Sequence, residues 1–202
     1  LDAGKHALAK KAVNLGLEQH PTSVDLKFMQ VELYIFDNEL DKAVLLLKKI
    51  EKIEPDNDEV FIQKGNISSK KGEHKEAIQF YNEALALTED KSDIWSFIGM
   101  EYLYLDDFDN ARLQFAKCME VDYEDYSSLY NIVYCFDMNS QHEDAIVFLN
   151  NYLDINPYCE VAWHQLGRQF FVLNRFEEAL TAFDYAVLID EFFIGGYIEK
   201  AT

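Results

Sequence analysis

Residues 92–125 read SDIWSFIGMEYLYLDDFDNARLQFAKCMEVDYED, and a helical face can be drawn through each half of this stretch. Trp95, Ile98, Gly99 and Tyr102 fall at i, i+3, i+4 and i+7, the spacing of side chains on one side of an α-helix. Ala111, Phe115 and Cys118 make a matching stripe beyond Asp106-Asp107, a polar pair suited to a tight connection between antiparallel helices. Gly99 and Ala111 are small where the two helices must approach closely, and the bulky residues fill the space around them. The stretch therefore predicts a helical hairpin.

The hairpin recurs along the chain. Ala9, Ala43, Ala77, Ala111, Ala145 and Ala179 are each 34 residues apart, which places six of the sixteen alanines in one register. Gly65, Gly99 and Gly167 share a second register with Val133 in the missing slot, and the three prolines, Pro21, Pro55 and Pro157, share a third. A large side chain follows each repeat alanine by four residues, as Val13, Leu47, Tyr81, Phe115, Leu149 and Phe183. One such hairpin cannot bury its apolar face alone, so neighbouring units must stack.

These residues resemble the tetratricopeptide repeat, which sets Trp, Leu, Gly and Tyr on a first helix and Ala, Phe, Ala and Pro on a second. Residues 92–125 carry Trp95, Ile98, Gly99, Tyr102, Ala111, Phe115 and Cys118, with Tyr123 in the proline slot, and a second copy reads Trp163, Leu166, Gly167, Phe170, Ala179, Phe183 and Ala186. The resemblance covers the whole chain and implies an all-α fold, a right-handed α-solenoid of antiparallel helix pairs. It is expected to be a single array over 1–202. Residues 1–23 form a partial unit, 24–57, 58–91, 92–125, 126–159 and 160–193 form full units, and 194–202 start a further helix.

Composition narrows the function. Lys and Arg number 18 against 37 Asp and Glu, for a net charge of −19, a field that repels phosphate backbones and anionic headgroups. The longest apolar runs, such as Val44–Leu47, fall far short of the ~20 residues of a membrane-spanning helix. Neither nucleic acid nor membrane insertion is expected. Cys118, Cys135 and Cys159 are odd in number and spaced as neither a disulfide framework nor close metal ligands, which favours a reducing, cytoplasmic setting. The start at Leu1 reads as a processed or excised chain and leaves export open.

No catalytic constellation emerges, and no enzyme activity, cofactor or metal is expected. The sequence lacks a G-x-S-x-G elbow, a phosphate-cradling Gly-rich loop and a C-x-x-C pair. His6, His74 and His142 share one register, which holds Phe108 and Phe176 in other units, so their rings are expected to pack at the helix turn. At packed-helix spacings, successive members stand on the order of 35 Å apart, too far to share a metal.

The resemblance further implies that first helices line a concave groove that binds peptides. By register, the groove-lining candidates are Met100, Tyr104, Tyr130, Tyr134, His164, Arg168 and Phe171, with Phe28 and Phe36 in the first unit, Asn66 and Lys70 in the second, and Met138 in the fourth. Large apolar and aromatic residues there are informative, because a merely solvated face would carry Lys and Glu. The Lys, Asn and Arg clamp by which some members hold chaperone C-termini finds a single match, Asn66. Residues 1–91 carry a net charge of −4 and residues 92–202 one of −15. The expected function is a non-catalytic protein–protein interaction scaffold whose partner is a protein or peptide with apolar anchors and basic flanks. The alternatives are the adaptor segment of a longer enzyme or signalling protein, or a self-assembling module. A homodimer through exposed array ends, at Phe192, Phe193, Ile194 and Tyr197, belongs to the last.

Overall fold

The computed structural model describes residues 3–192, among which eleven α-helices and no strands are found. In chain order they are α1 Ala3–Gln19, α2 Val24–Phe36, α3 Leu40–Glu51, α4 Asp58–Lys70, α5 His74–Leu85, α6 Ser92–Tyr104, α7 Phe108–Val121, α8 Tyr126–Met138, α9 His142–Ile155, α10 Glu160–Val172 and α11 Phe176–Ile189. Two compact units divide the array, Leu1–Leu105 and Asp106–Thr202, and the boundary falls in the turn after α6. Of the apolar end cluster, Phe192 is exposed, whereas Phe193, Ile194 and Tyr197 lie outside the described residues, as does the start of a further helix at 194–202.

Turn chemistry repeats as faithfully as the core. Asn38, Gly72, Asp106, Ser140 and Asn174 sit in one register after successive first helices, and each is left-handed, with φ of 59°, 78°, 55°, 55° and 59°. Asn, Asp and Gly reach this region at low cost, and Ser140 is the strained exception. The conformation turns the chain so that the Glu39, Glu73, Gln141 and Arg175 amides donate to the Tyr34, Ser68, Phe136 and Phe170 carbonyls at 2.7–2.9 Å. These bonds satisfy carbonyls that a helix end would otherwise leave open. At the starts, Ser23 Oγ, Asn57 Oδ1, Asp107 Oδ1 and Asp125 Oδ1 cap α2, α4, α7 and α8, and Cys159 Sγ takes that place for α10, accepting from the Ala162 amide at 3.4 Å.

Within each hairpin the volumes match. A Cβ added at Gly65 would stand 2.3 Å from Tyr81 Cε1, and one at Gly167 would stand 2.4 Å from Phe183 Cε1, so each glycine makes room for a buried ring. In the same registers Val31 and Val133 are matched by Leu47 and Leu149, all four buried. A larger residue on the first helix thus goes with a smaller one on the second. Ala43, Ala77, Ala111, Ala145 and Ala179 are buried at the crossings, whereas Ala9 is exposed on α1.

All three cysteines are buried and none forms a disulfide. Burial pushes the Cys135 thiol up to about 11 and raises that of Cys159 as well. The native protein is therefore expected to react far more slowly with a thiol reagent than the denatured chain, in which all three react; rapid native labelling would show that these thiols are open to solvent. Because the folded thiol lies above its ordinary value, the stability Cys135 contributes is full below that value and is lost as pH rises toward about 11.

Candidate functional site

The exposed faces of the first helices are built from aromatics at turn spacing. On α8 in the second unit, Tyr126, Tyr130, Tyr134 and Met138 stand four residues apart, and all four are exposed. On α10, packed beside α8, Arg168, Phe171 and Val172 are exposed. Met100 and Tyr104 occupy the same kind of face on α6 in the first unit. The structure therefore brings Tyr130, Tyr134, Arg168 and Phe171 together on neighbouring helices of one unit, with Met100 and Tyr104 in the other.

His164 and Phe28 depart from the expectation. The His164 ring tilts against the core residue Phe183 at 5.7 Å between centroids and its nitrogens are buried, so it packs into the α10–α11 hairpin instead of lining an open face. Phe28 is 7% exposed and joins the core with Val31 and Ala43. In both cases the helix turns the position toward its hairpin mate, a distinction of a fraction of a turn that register alone does not carry. Tyr126, four residues before Tyr130 in the sequence, extends the exposed face beyond the expected groove residues.

Rings at the start of the second helices back the exposed ones. His6 lies against Phe36 at 4.4 Å, His74 stacks on Tyr104 at 4.8 Å, and Phe108 meets Tyr134 edge-on at 6.3 Å. Phe176 meets Phe171 edge-on at 5.5 Å. All four backing residues share the register that holds histidine in some units and phenylalanine in others. Such contacts restrict the exposed rings before any ligand arrives, which lowers the ordering cost of binding.

The histidines have a second task. Glu101, 3% exposed, accepts from Ser69 Oγ at 2.6 Å and bonds His74 Nδ1 at 2.6 Å. One repeat pair later, His142 Nδ1 bonds Gln169 Oε1 at 2.9 Å, and Gln169 Nε2 donates to Asp137 Oδ1 at 2.9 Å. His74 with Glu101 and His142 with Gln169 are the same joint between consecutive repeats, 68 residues apart. For His6 of α1 the corresponding position is Leu33 on α2, and His6 instead reaches Asp37 Oδ1 at 2.8 Å, while Lys10 binds Asp37 Oδ2 at 2.8 Å. The hydrogen bond from Lys10 holds the Asp37 carboxyl below its ordinary range. Asp137 is occupied by this joint. Among the described residues, no group of three His, Cys, Asp or Glu side chains could hold a metal ion, and no helix is long and apolar enough to cross a membrane.

The sequence pattern of the Tetratricopeptide repeat family matches residues 58–91 and 92–125. The helical pairs resemble those of YrrB, a solved structure described as a tetratricopeptide-repeat protein with an unusual peptide-binding site, with a TM-score of 0.61 at 18% identity over 95% of this chain and 98% of that one. This is a tetratricopeptide repeat protein. Its fold is the α-solenoid of that family, the scaffold on which tetratricopeptide proteins make protein–protein contacts. The array is 30% identical over 149 residues to a UDP-N-acetylglucosamine–peptide N-acetylglucosaminyltransferase of Giardia intestinalis, covering 74% of this chain and 10% of that protein. It is 24% identical over 181 residues to DnaJ homolog subfamily C member 3 of Gallus gallus, covering 80% of this chain and 35% of the relative. The tetratricopeptide array thus spans at most about a third of the length of these two relatives.

Proposed function

We propose that the chain is a non-catalytic scaffold that seats a peptide or protein segment on the exposed first-helix face of α8 and α10. The observation that carries this reading is the set of exposed aromatics, of which Tyr134 and Phe171 are held edge-on by Phe108 and Phe176 at the start of second helices. Rigid aromatic anchors bury large apolar area at small entropic cost, and such residues dominate binding energy where they cluster. The net charge of −15 over residues 92–202 favours a ligand whose apolar anchors are flanked by Lys or Arg. Arg168, bonded through Nη1 to Gln165 Oε1 at 3.3 Å, adds a cation that orients a ligand carbonyl or carboxylate along the face.

The test is an array of peptides with aromatic or aliphatic anchors and basic flanks, followed by titration of the strongest binder. Tyr130→Ala combined with Tyr134→Ala is expected to weaken it at least ~10-fold, about 1.4 kcal/mol, with helicity by circular dichroism unchanged. Added salt is expected to act mainly by slowing association, because screening shortens the reach of the acidic field. A double variant that folds normally and binds as tightly as the parent would place the ligand elsewhere on the molecule.

A further inference from the structure

A cavity opens in the first unit between α3 and α5, with α4 as its floor, and its volume is about 290 Å³. Leu47 and Ile67, both nearly buried, give it an apolar base, and Phe80 closes one wall. Three lysines, Lys48, Lys64 and Lys71, line it in a chain where acids outnumber bases two to one. Lys64 is committed: its ammonium pairs with Glu51 Oε1 at 2.7 Å and sits over the Phe61 and Phe80 rings at 4.9 and 5.7 Å. Glu76, the remaining acid of the lining, accepts from Ser68 Oγ at 3.4 Å. Lys48 and Lys71 are exposed and form no ion pair among the described residues.

The repeat itself supplies a control. Sixty-eight residues on, the same groove lies between α7 and α9 over α8, and there the positions of Lys48, Lys64 and Lys71 hold Ala116, Ile132 and Asn139. Ala116 and Ile132 line that cavity together with Phe148, the counterpart of Phe80. Packing of consecutive repeats therefore does not demand lysine at these places, and an unpaired cation beside an apolar cavity is a feature of the first unit alone of the two grooves. We infer that the α3–α5 groove is a second binding site, which takes an acidic peptide segment with one bulky apolar side chain in the cavity and flanking carboxylates on Lys48 and Lys71. The volume holds one large side chain and no folded element, and Lys48 and Lys71 both belong to its lining, so carboxylates flanking the seated side chain have cations to pair with. This ligand has the opposite charge to the one proposed for the α8–α10 face, so one chain could hold two different partners at once.

The probe is a short fluorescein-labelled peptide with a central Phe flanked by Asp and Glu, titrated by anisotropy into the whole chain. Binding is expected, and a peptide with Ser in place of Phe is expected to lose it. Lys48→Glu with Lys71→Glu should weaken the Phe peptide at least ~10-fold. Lys49→Glu with Lys75→Glu makes the same change in net charge at exposed positions outside the cavity lining and should leave affinity nearly unchanged. On the parent protein, amide shifts caused by the peptide should centre on Leu47, Ile67 and Phe80. Equal losses in the two charge-reversed pairs, equal binding of the Ser peptide, or shifts centred on Tyr130 and Tyr134 would each overturn the inference. So would a failure of the Phe peptide to bind at about 1 mM. The Tyr130 and Tyr134 double variant is read with a different, basic-flanked peptide, so the two sites stand or fall separately.

Discussion

Gly167→Val is expected to destabilise the protein by about 1–3 kcal/mol in chemical denaturation, and Phe183→Leu made in the same chain is expected to restore part of that loss. The first branch atom added at Gly167 would already meet the Phe183 ring at 2.4 Å, and that ring is 1% exposed, with no solvent into which to swing. Something in the α10–α11 hairpin must shift. The chain contains its own remedy, since Val133 faces the register of Leu149, and Val31 that of Leu47. The double substitution copies that pairing into the fifth unit. If Gly167→Val leaves the midpoint unchanged, or if the two substitutions simply add, the close approach of this glycine to the aromatic ring does not govern the hairpin.

Glu101→Ala is expected to cost on the order of 3 kcal/mol, while Glu101→Gln should stay within about 1 kcal/mol of the parent. The alanine removes a buried carboxylate that joins Ser69 and His74 at 2.6 Å each, leaving two polar groups short of a partner inside the joint between repeats. A glutamine keeps an acceptor in place, and it is the residue the chain itself uses at Gln169 opposite His142. His74→Phe is the complementary change, because phenylalanine occupies this register at Phe108 and Phe176. It preserves a ring against Tyr104 but strands the carboxylate, so its cost should fall when combined with Glu101→Ala. Identical melting of the Ala, Gln and parent proteins would show that the joint adds nothing to cohesion between these repeats.

The sequence by itself determined the helices and the hairpin. Helix formation here follows from apolar residues at i, i+3, i+4 and i+7 and from polar turns, both of which are local. The five left-handed turn residues lie in one register of the sequence, and the residue types at four of them announce the conformation. The 34-residue recurrence then requires stacking, because an isolated hairpin has an apolar face and nothing to cover it. Register also located most of the exposed aromatic face: Met100, Tyr104, Tyr130, Tyr134, Arg168 and Phe171 are all exposed on first helices.

The tertiary structure decided which side chains at those registers are free and which are spent. His164 and Phe28 turn inward, and Asp137 is taken by Gln169 and His142. These outcomes depend on contacts between side chains of different helices, where a rotation of a few tens of degrees exchanges core for surface. The cavity over Ile67 is decided in the same way. Lys48, Lys64 and Lys71 look like scattered surface cations in the sequence, and only the packing of α3, α4 and α5 gathers them around one apolar space and assigns Lys64 to Glu51. Period and pattern encode where the backbone goes, because each recurs from repeat to repeat; the chemistry of a surface is written once, by side chains from separate helices, and appears when the helices meet.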